Sequence, residues 1–226
     1  MSHLAASIVL REIQKNPGLL LCAATGSSPR GLYGKLAEHA KLDREQFSRM
    51  RIIKLDEWGG VPENHPVTCE YFLRNRLLDP LAIPREHYIS FASDPQNPVE
   101  ECKRIRSRLQ AEGPVDICIL GLGGNGHLAL NEPAVELQPF CHVATLTEKS
   151  LQHSMIADLE KKPGYGLTLG MQEILQSRKI IMLVSGKEKM EVAEKFLEAK
   201  VSTNLPASFL WLHPHVECLV DREAMK

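Results

Sequence analysis

Short apolar runs alternate with helically spaced segments along this chain. Residues 19–24, 51–55, 117–120, 179–184 and 216–220 are runs of strand length, and a weaker run covers 143–146. Between them, residues 30–40, 67–78 and the stretch through Met190, Ala193 and Leu197 have helical spacing. Val99, Cys102, Ile105 and Leu109 give another helix its apolar stripe. This alternation predicts an α/β fold: one domain over residues 1–226, with a mostly parallel, Rossmann-like sheet and helices on both faces. Ligands of such sheets bind beyond the carboxyl ends of the strands. Four strands here run into polar or glycine-rich clusters, at 25–29, 56–60, 121–132 and 185–189. The fold predicts that all four meet along one edge of the sheet.

The third cluster carries the most chemistry. Its strand enters Gly121, Gly123, Gly124 and Gly126, where the backbone can turn sharply and approach a ligand. His127, Asn131 and Glu132 follow, and Pro133 blocks a long helix. The glycines also satisfy G-x-G-x-x-G, with Glu148 about 20 residues on. A dinucleotide site would need a full helix after the third glycine, and Pro133 and Pro139 leave no room for one. A catalytic loop fits better.

The other clusters each have two readings. Thr25, Gly26, Ser27, Ser28 and Pro29 suit a phosphate at a helix N-terminus, or an ordinary capped turn; the Walker spacing is missing. Asp56 and Glu57 follow a buried strand, as a base for proton abstraction beside a carbonyl would, or as a cap or ion pair. Lys187 and Lys189 open a helix, a poor place for cations unless an anion binds there; Lys187 reads as solvated. Trp58 and Trp211 read as packing residues, and His65, His213 and His215 have no partner that sequence identifies.

Composition narrows the field. A formal net charge of −1 gives no footprint for nucleic acid or anionic membrane, and no apolar run approaches a bilayer span. The N-terminal residues read as a charged helix rather than a signal peptide. Six dispersed cysteines without a C-x-x-C pair argue for a reducing cytoplasm, and against zinc or a disulfide framework.

Taken together, T-G-S-S-P, L-D-E-W-G-G-V-P, G-L-G-G-N-G-H-L-A-L-N-E-P, Y-G-L-T-L-G and S-G-K-E-K resemble the amino-sugar-6-phosphate deaminase/isomerase family, relatives of glucosamine-6-phosphate deaminase and 6-phosphogluconolactonase. L-D-E-W and S-F-L-W-L-H are most similar to its galactosamine-6-phosphate branch. The resemblance implies Asp56 as enolisation base, His127 as ring-opening group and Glu132 as its support. It implies phosphate binding at Gly26, Ser27, Ser28 and Lys189, with a small sugar phosphate as partner and neither metal nor cofactor. A homo-oligomer is compatible with the sequence. Asn125 stands in the catalytic loop where glucosamine-type members carry aspartate, and an aspartate there is expected to be tolerated. Residues 151–162 lack the family's phosphate-binding arginine, leaving Gln152 or His153 as substitutes; Cys141, His142 and Val143 do not reproduce the basic allosteric site of some bacterial members. The reaction implied is galactosamine-6-phosphate to tagatose-6-phosphate and ammonia. Alternatives are a glucosamine-6-phosphate deaminase, a phosphosugar lactonase, or a non-catalytic sugar-phosphate sensor.

Overall fold

Alternate residues of one strand point to opposite faces of a sheet, and here both faces are apolar. Leu20, Cys22, Cys118, Leu120, Ile180 and Met182 form one core with Ile105, Leu109 and Phe196. Leu19, Leu21, Ile117, Ile119, Ile181 and Leu183 form the other with Ile13, Leu32, Leu36 and Leu77. A parallel sheet sandwiched between helices requires this double burial.

The computed structural model describes residues 1–225. In chain order the elements are α1 (Ser2–Lys15), β1 (Leu20–Ala23), α2 (Ser27–Ala40), β2 (Arg51–Lys54), β3 (Asp56–Gly59), α3 (Cys69–Leu73) and, after a π turn at Arg74–Leu78, α4 (Asp79–Leu81). There follow β4 (Tyr88–Ile89), α5 (Pro98–Glu112), β5 (Ile117–Gly121), β6 (His142–Ala144), α6 (Glu148–Leu151), β7 (Tyr165–Thr168), α7 (Met171–Leu175), β8 (Lys179–Val184), α8 (Met190–Leu197) and β9 (Val216–Val220). Six strands form a parallel sheet in the order β4-β2-β1-β5-β8-β9. The predicted α/β architecture is therefore present. No described helix is long and apolar enough to cross a membrane.

A second sheet departs from the sequence reading. Asp56–Gly59, read as a polar cluster ending a strand, is itself a strand, pairing antiparallel with β7, which pairs antiparallel with β6. Leu55 is the corner. Its N–H donates to Ala23 O at 3.2 Å in the main sheet, and its carbonyl accepts from Leu169 N at 3.0 Å beside the small one. The run read at 143–146 is strand only over His142–Ala144, and the helix read from residue 67 begins at Cys69, where Thr68 Oγ1 accepts from Tyr71 N at 3.1 Å as N-cap.

Candidate active site

The main sheet's carboxyl edge and the small sheet enclose a cavity of about 360 Å³. Gly26, Ser27, Ser28, Asp56, His127 and Lys189 all line it. Glu132 and Asn125 are not in its wall but stand behind His127. Lys187 is outside the lining, as read. Segments some 160 residues apart in sequence thus converge, because β1, β5 and β8 are adjacent parallel strands ending at the same edge.

Strand alternation separates the two consecutive carboxylates. Both border the cavity, but Glu57 is fully buried, with its carboxylate turned to Lys54. Glu57 is saturated there: it accepts from Lys54 Nζ at 2.6 Å and from the backbone N–H groups of Trp58, Cys69 and Glu70 at 2.8–2.9 Å. Lys54, also fully buried, reaches Glu70 at 3.3 Å, and Tyr88 and Ser90 donate to Glu70 at 2.8 Å. The pair therefore ties β2, β3 and α3 together beneath the cavity floor. Asp56 has no such partners. Burial, reinforced by the Glu57 charge, raises its carboxyl to about 7, against the opposing pull of Lys54 and the Cys69 thiol. A carboxyl poised near neutrality inside a cleft is suited to taking and returning a proton.

Around His127 the loop closes on itself. Gly123 N donates to His127 O at 3.0 Å, and a side chain at Gly123 would overlap the imidazole, its Cβ lying 2.2 Å from Cδ2. Glycine is required there for the ring to pack over the backbone. His127 Nδ1 lies 3.4 Å from Glu132 Oε2 and 3.5 Å from Ser150 Oγ. Ser150 Oγ donates to Glu132 Oε1, and Asn125 Nδ2 donates to Glu132 Oε2 at 2.8 Å. Burial alone would raise the Glu132 carboxyl. The contacts of His127, Ser150 and Asn125 outweigh it and hold the group at about 2.

Asn125 therefore does not accept from the imidazole. Its Oδ1 accepts from the His127 backbone N–H at 3.2 Å, and its amide serves Glu132. This geometry argues against the expectation that aspartate is tolerated at 125, which an Asn125→Asp variant would test. In this arrangement aspartate would set an acceptor against the Glu132 carboxylate where the amide now donates. Asn131 is structural: buried, it donates to Leu128 O and Leu169 O at 3.0 and 2.9 Å.

At the other end, α2 opens at Gly26, whose φ of +96° suits glycine. Ser28 and Ser185 hydroxyls are 3.0 Å apart, joining the clusters that follow β1 and β8. His153 lines the same end, its Nε2 3.6 Å from where a Cβ on Gly26 would stand. Burial and the nearby His127 and Lys189 keep its imidazole below the ordinary histidine range. Its ring packs on Trp58, 5.6 Å between centroids. Trp58 is a packing residue, as read, and also part of the cavity wall.

Three residues of the site escaped sequence reading. Cys69 lines the cavity with its Sγ 3.3 Å from Thr25 Oγ1 and 3.9 Å from Asp56 Oδ1. Lys149 and Ser150 occupy α6, capped by Thr147, whose Oγ1 accepts from Ser150 N at 3.2 Å. Thr147 as an N-cap residue, followed by Glu148 in the first turn, was the available signal for that helix start. Lys149 lies two residues before 151–162, the segment in which the family's arginine is expected.

The fold and cavity define a parallel α/β sheet protein with paired acid–base groups at one end of a cleft and cationic groups at the other. Residues 2–220 match the model of the family described as glucosamine-6-phosphate isomerases/6-phosphogluconolactonase, and the chain belongs to that family. It is similar to AgaI of Escherichia coli (strain K12), provisionally named a deaminase, with 40% identity over 98% of this chain and 88% of that protein. It is 34% identical to a glucosamine-6-phosphate deaminase of Thermoanaerobacter pseudethanolicus (strain ATCC 33223 / 39E), over 99% of this chain and 89% of that one. The solved structure of a monomeric glucosamine-6-phosphate deaminase superposes with a TM-score of 0.92 at 32% identity, covering 99% of this chain and 93% of that chain. A 6-phosphogluconolactonase from Trypanosoma brucei shares the fold, with a TM-score of 0.75 at 23% identity over 99% of this chain and 94% of that chain.

Proposed function

We propose that this protein converts galactosamine-6-phosphate to tagatose-6-phosphate and ammonia. The observation that carries the reading is the pairing of Asp56, raised to about 7, with the His127–Glu132 pair around one cavity. Substrate enters as a closed pyranose. His127, held by Glu132, moves the proton that opens the ring to the aldehyde. Asp56 takes the proton from C2, leaving an enolamine, and returns it to C1, giving the imine at C2. Water adds to C2 and ammonia leaves, so one water is consumed per turnover. Gly26, Ser27, Ser28 and Lys189 hold the phosphate, which makes proton transfer effectively intramolecular.

The whole chain acts as one domain in this reading, supported by a family match that spans residues 2–220. Six free cysteines, four of them buried, accord with a reducing cytoplasm. L-D-E-W, S-F-L-W-L-H and the 40% identity to AgaI favour the galacto epimer. The run of relatives named glucosamine-6-phosphate deaminase favours the gluco epimer as second reading. Coupled ammonia release, measured with each amino-sugar 6-phosphate in parallel, separates the two. A higher kcat/KM for glucosamine-6-phosphate overturns the epimer assignment, and no ammonia from either overturns the reaction.

A further inference from the structure

Two ammonium groups face each other across Gly124. A methyl group placed on Gly124 would lie 3.0 Å from Lys149 Cε, 3.8 Å from Lys149 Nζ and 3.9 Å from Lys189 Nζ. Both side chains line the cavity. Neither forms an ion pair among the described residues. Like charges brought this close repel, more strongly where water is displaced. Lys189 shows the effect: burial lowers its ammonium, Glu188 partly restores it, and Lys149 lowers it again. Glu188, the carboxylate lining this end, is folded against Gly186, both its oxygens 2.5 Å from where a Cβ there would stand. Glu188 offsets the two cations only in part, and the pair matches a phosphate dianion.

We propose that Lys149 is a phosphate-binding residue, closing a two-lysine clamp with Lys189 opposite Gly26, Ser27 and Ser28. This rests on the sugar-phosphate reading above. Lys149 is well placed to be stiff at its base. Its helix is capped by Thr147, and its neighbour Ser150 is bonded to Glu132. The clamp also accounts for residues 151–162 having no arginine: the second cation comes from the turn before.

The test compares wild type with Lys149→Met and Lys149→Arg in the full chain. Amino-sugar 6-phosphate turnover gives KM and kcat, and inorganic phosphate serves as competitive inhibitor. Removing a charge-assisted hydrogen bond should raise KM and the phosphate Ki together, by about 10- to 100-fold, with kcat nearly unchanged. Lys149→Arg should recover most of both. Unchanged KM and phosphate Ki in Lys149→Met overturn the clamp. So does a raised KM with normal phosphate Ki, because Lys149 would then act through Ser150 and not on phosphate. Calorimetric titration with inorganic phosphate alone keeps this separate from the reaction. If wild type turns over neither amino sugar, the functional reading fails, while phosphate affinity lost in Lys149→Met and regained in Lys149→Arg still upholds the clamp.

Discussion

Asp56 and Glu132 are carboxylates of one cavity driven in opposite directions, one to about 7 and the other to about 2. Partners decide it, since Glu132 has three polar neighbours and Asp56 has only a distant thiol. A base must be ionised to accept a proton, so kcat/KM should fall as pH drops through about 7, a limb that a pH–rate profile would locate. Asp56→Asn should lower kcat by about 10²–10⁴-fold with KM little changed, and should abolish solvent deuterium uptake at C1. The same substitution should stabilise. Between the unfolded carboxyl value near 4 and about 7, the folded protein holds a proton that the unfolded chain has released, so rising pH costs wild type stability across that window. The asparagine variant lacks this cost, and its melting temperature should gain on wild type from pH 4 to pH 8. At the histidine, Glu132→Gln should be far more damaging than Asn125→Ala, most of all with closed-ring substrate. Ser150→Ala should fall between them, because it removes one donor and leaves the charge. Equal losses in Glu132→Gln and Asn125→Ala would give the asparagine a direct role.

Elements rather than single residues hold Asp56 in place. Lys54 of β2, Glu57 of β3 and Glu70 of α3 form a buried network whose members are paired and largely satisfied by hydrogen bonds. Breaking such a network leaves an uncompensated charge, so Glu57→Gln should destabilise the protein by about 3–5 kcal/mol, readable by chemical denaturation. A loss under 1 kcal/mol would mean that Lys54 finds another partner. Sequence made the main sheet legible because its strands are unbroken apolar runs between turn residues. It did not reveal β3, whose letters D-E-W-G look like a loop; pairing with β7, and not local propensity, makes it a strand. Nor did it reveal α6, four residues long and fixed by contacts to Glu132. Asp56, His127, Glu132 and Lys189 were legible because each belongs to a polar cluster that follows a recognisable strand. Ser150, Cys69 and Lys149 were not, because only folding brings them near those ends.

At the scale of the whole molecule, the cavity is a seam between two sheets of different direction, and the join is short. Leu55 alone separates β2 from β3, and its backbone is bonded on both sides. A substitution on this stretch alters the contacts of one side chain, whereas a change of length alters parity. One residue added or removed between Leu55 and Asp56 would turn every following side chain of β3 over, setting Asp56 rather than Glu57 against Lys54 and taking the candidate base out of its place in the cavity. Drift by insertion and deletion, commonplace in loops, is therefore closed to this corner, and the spacing between Lys54 and Glu57 behaves as a reading frame for the site.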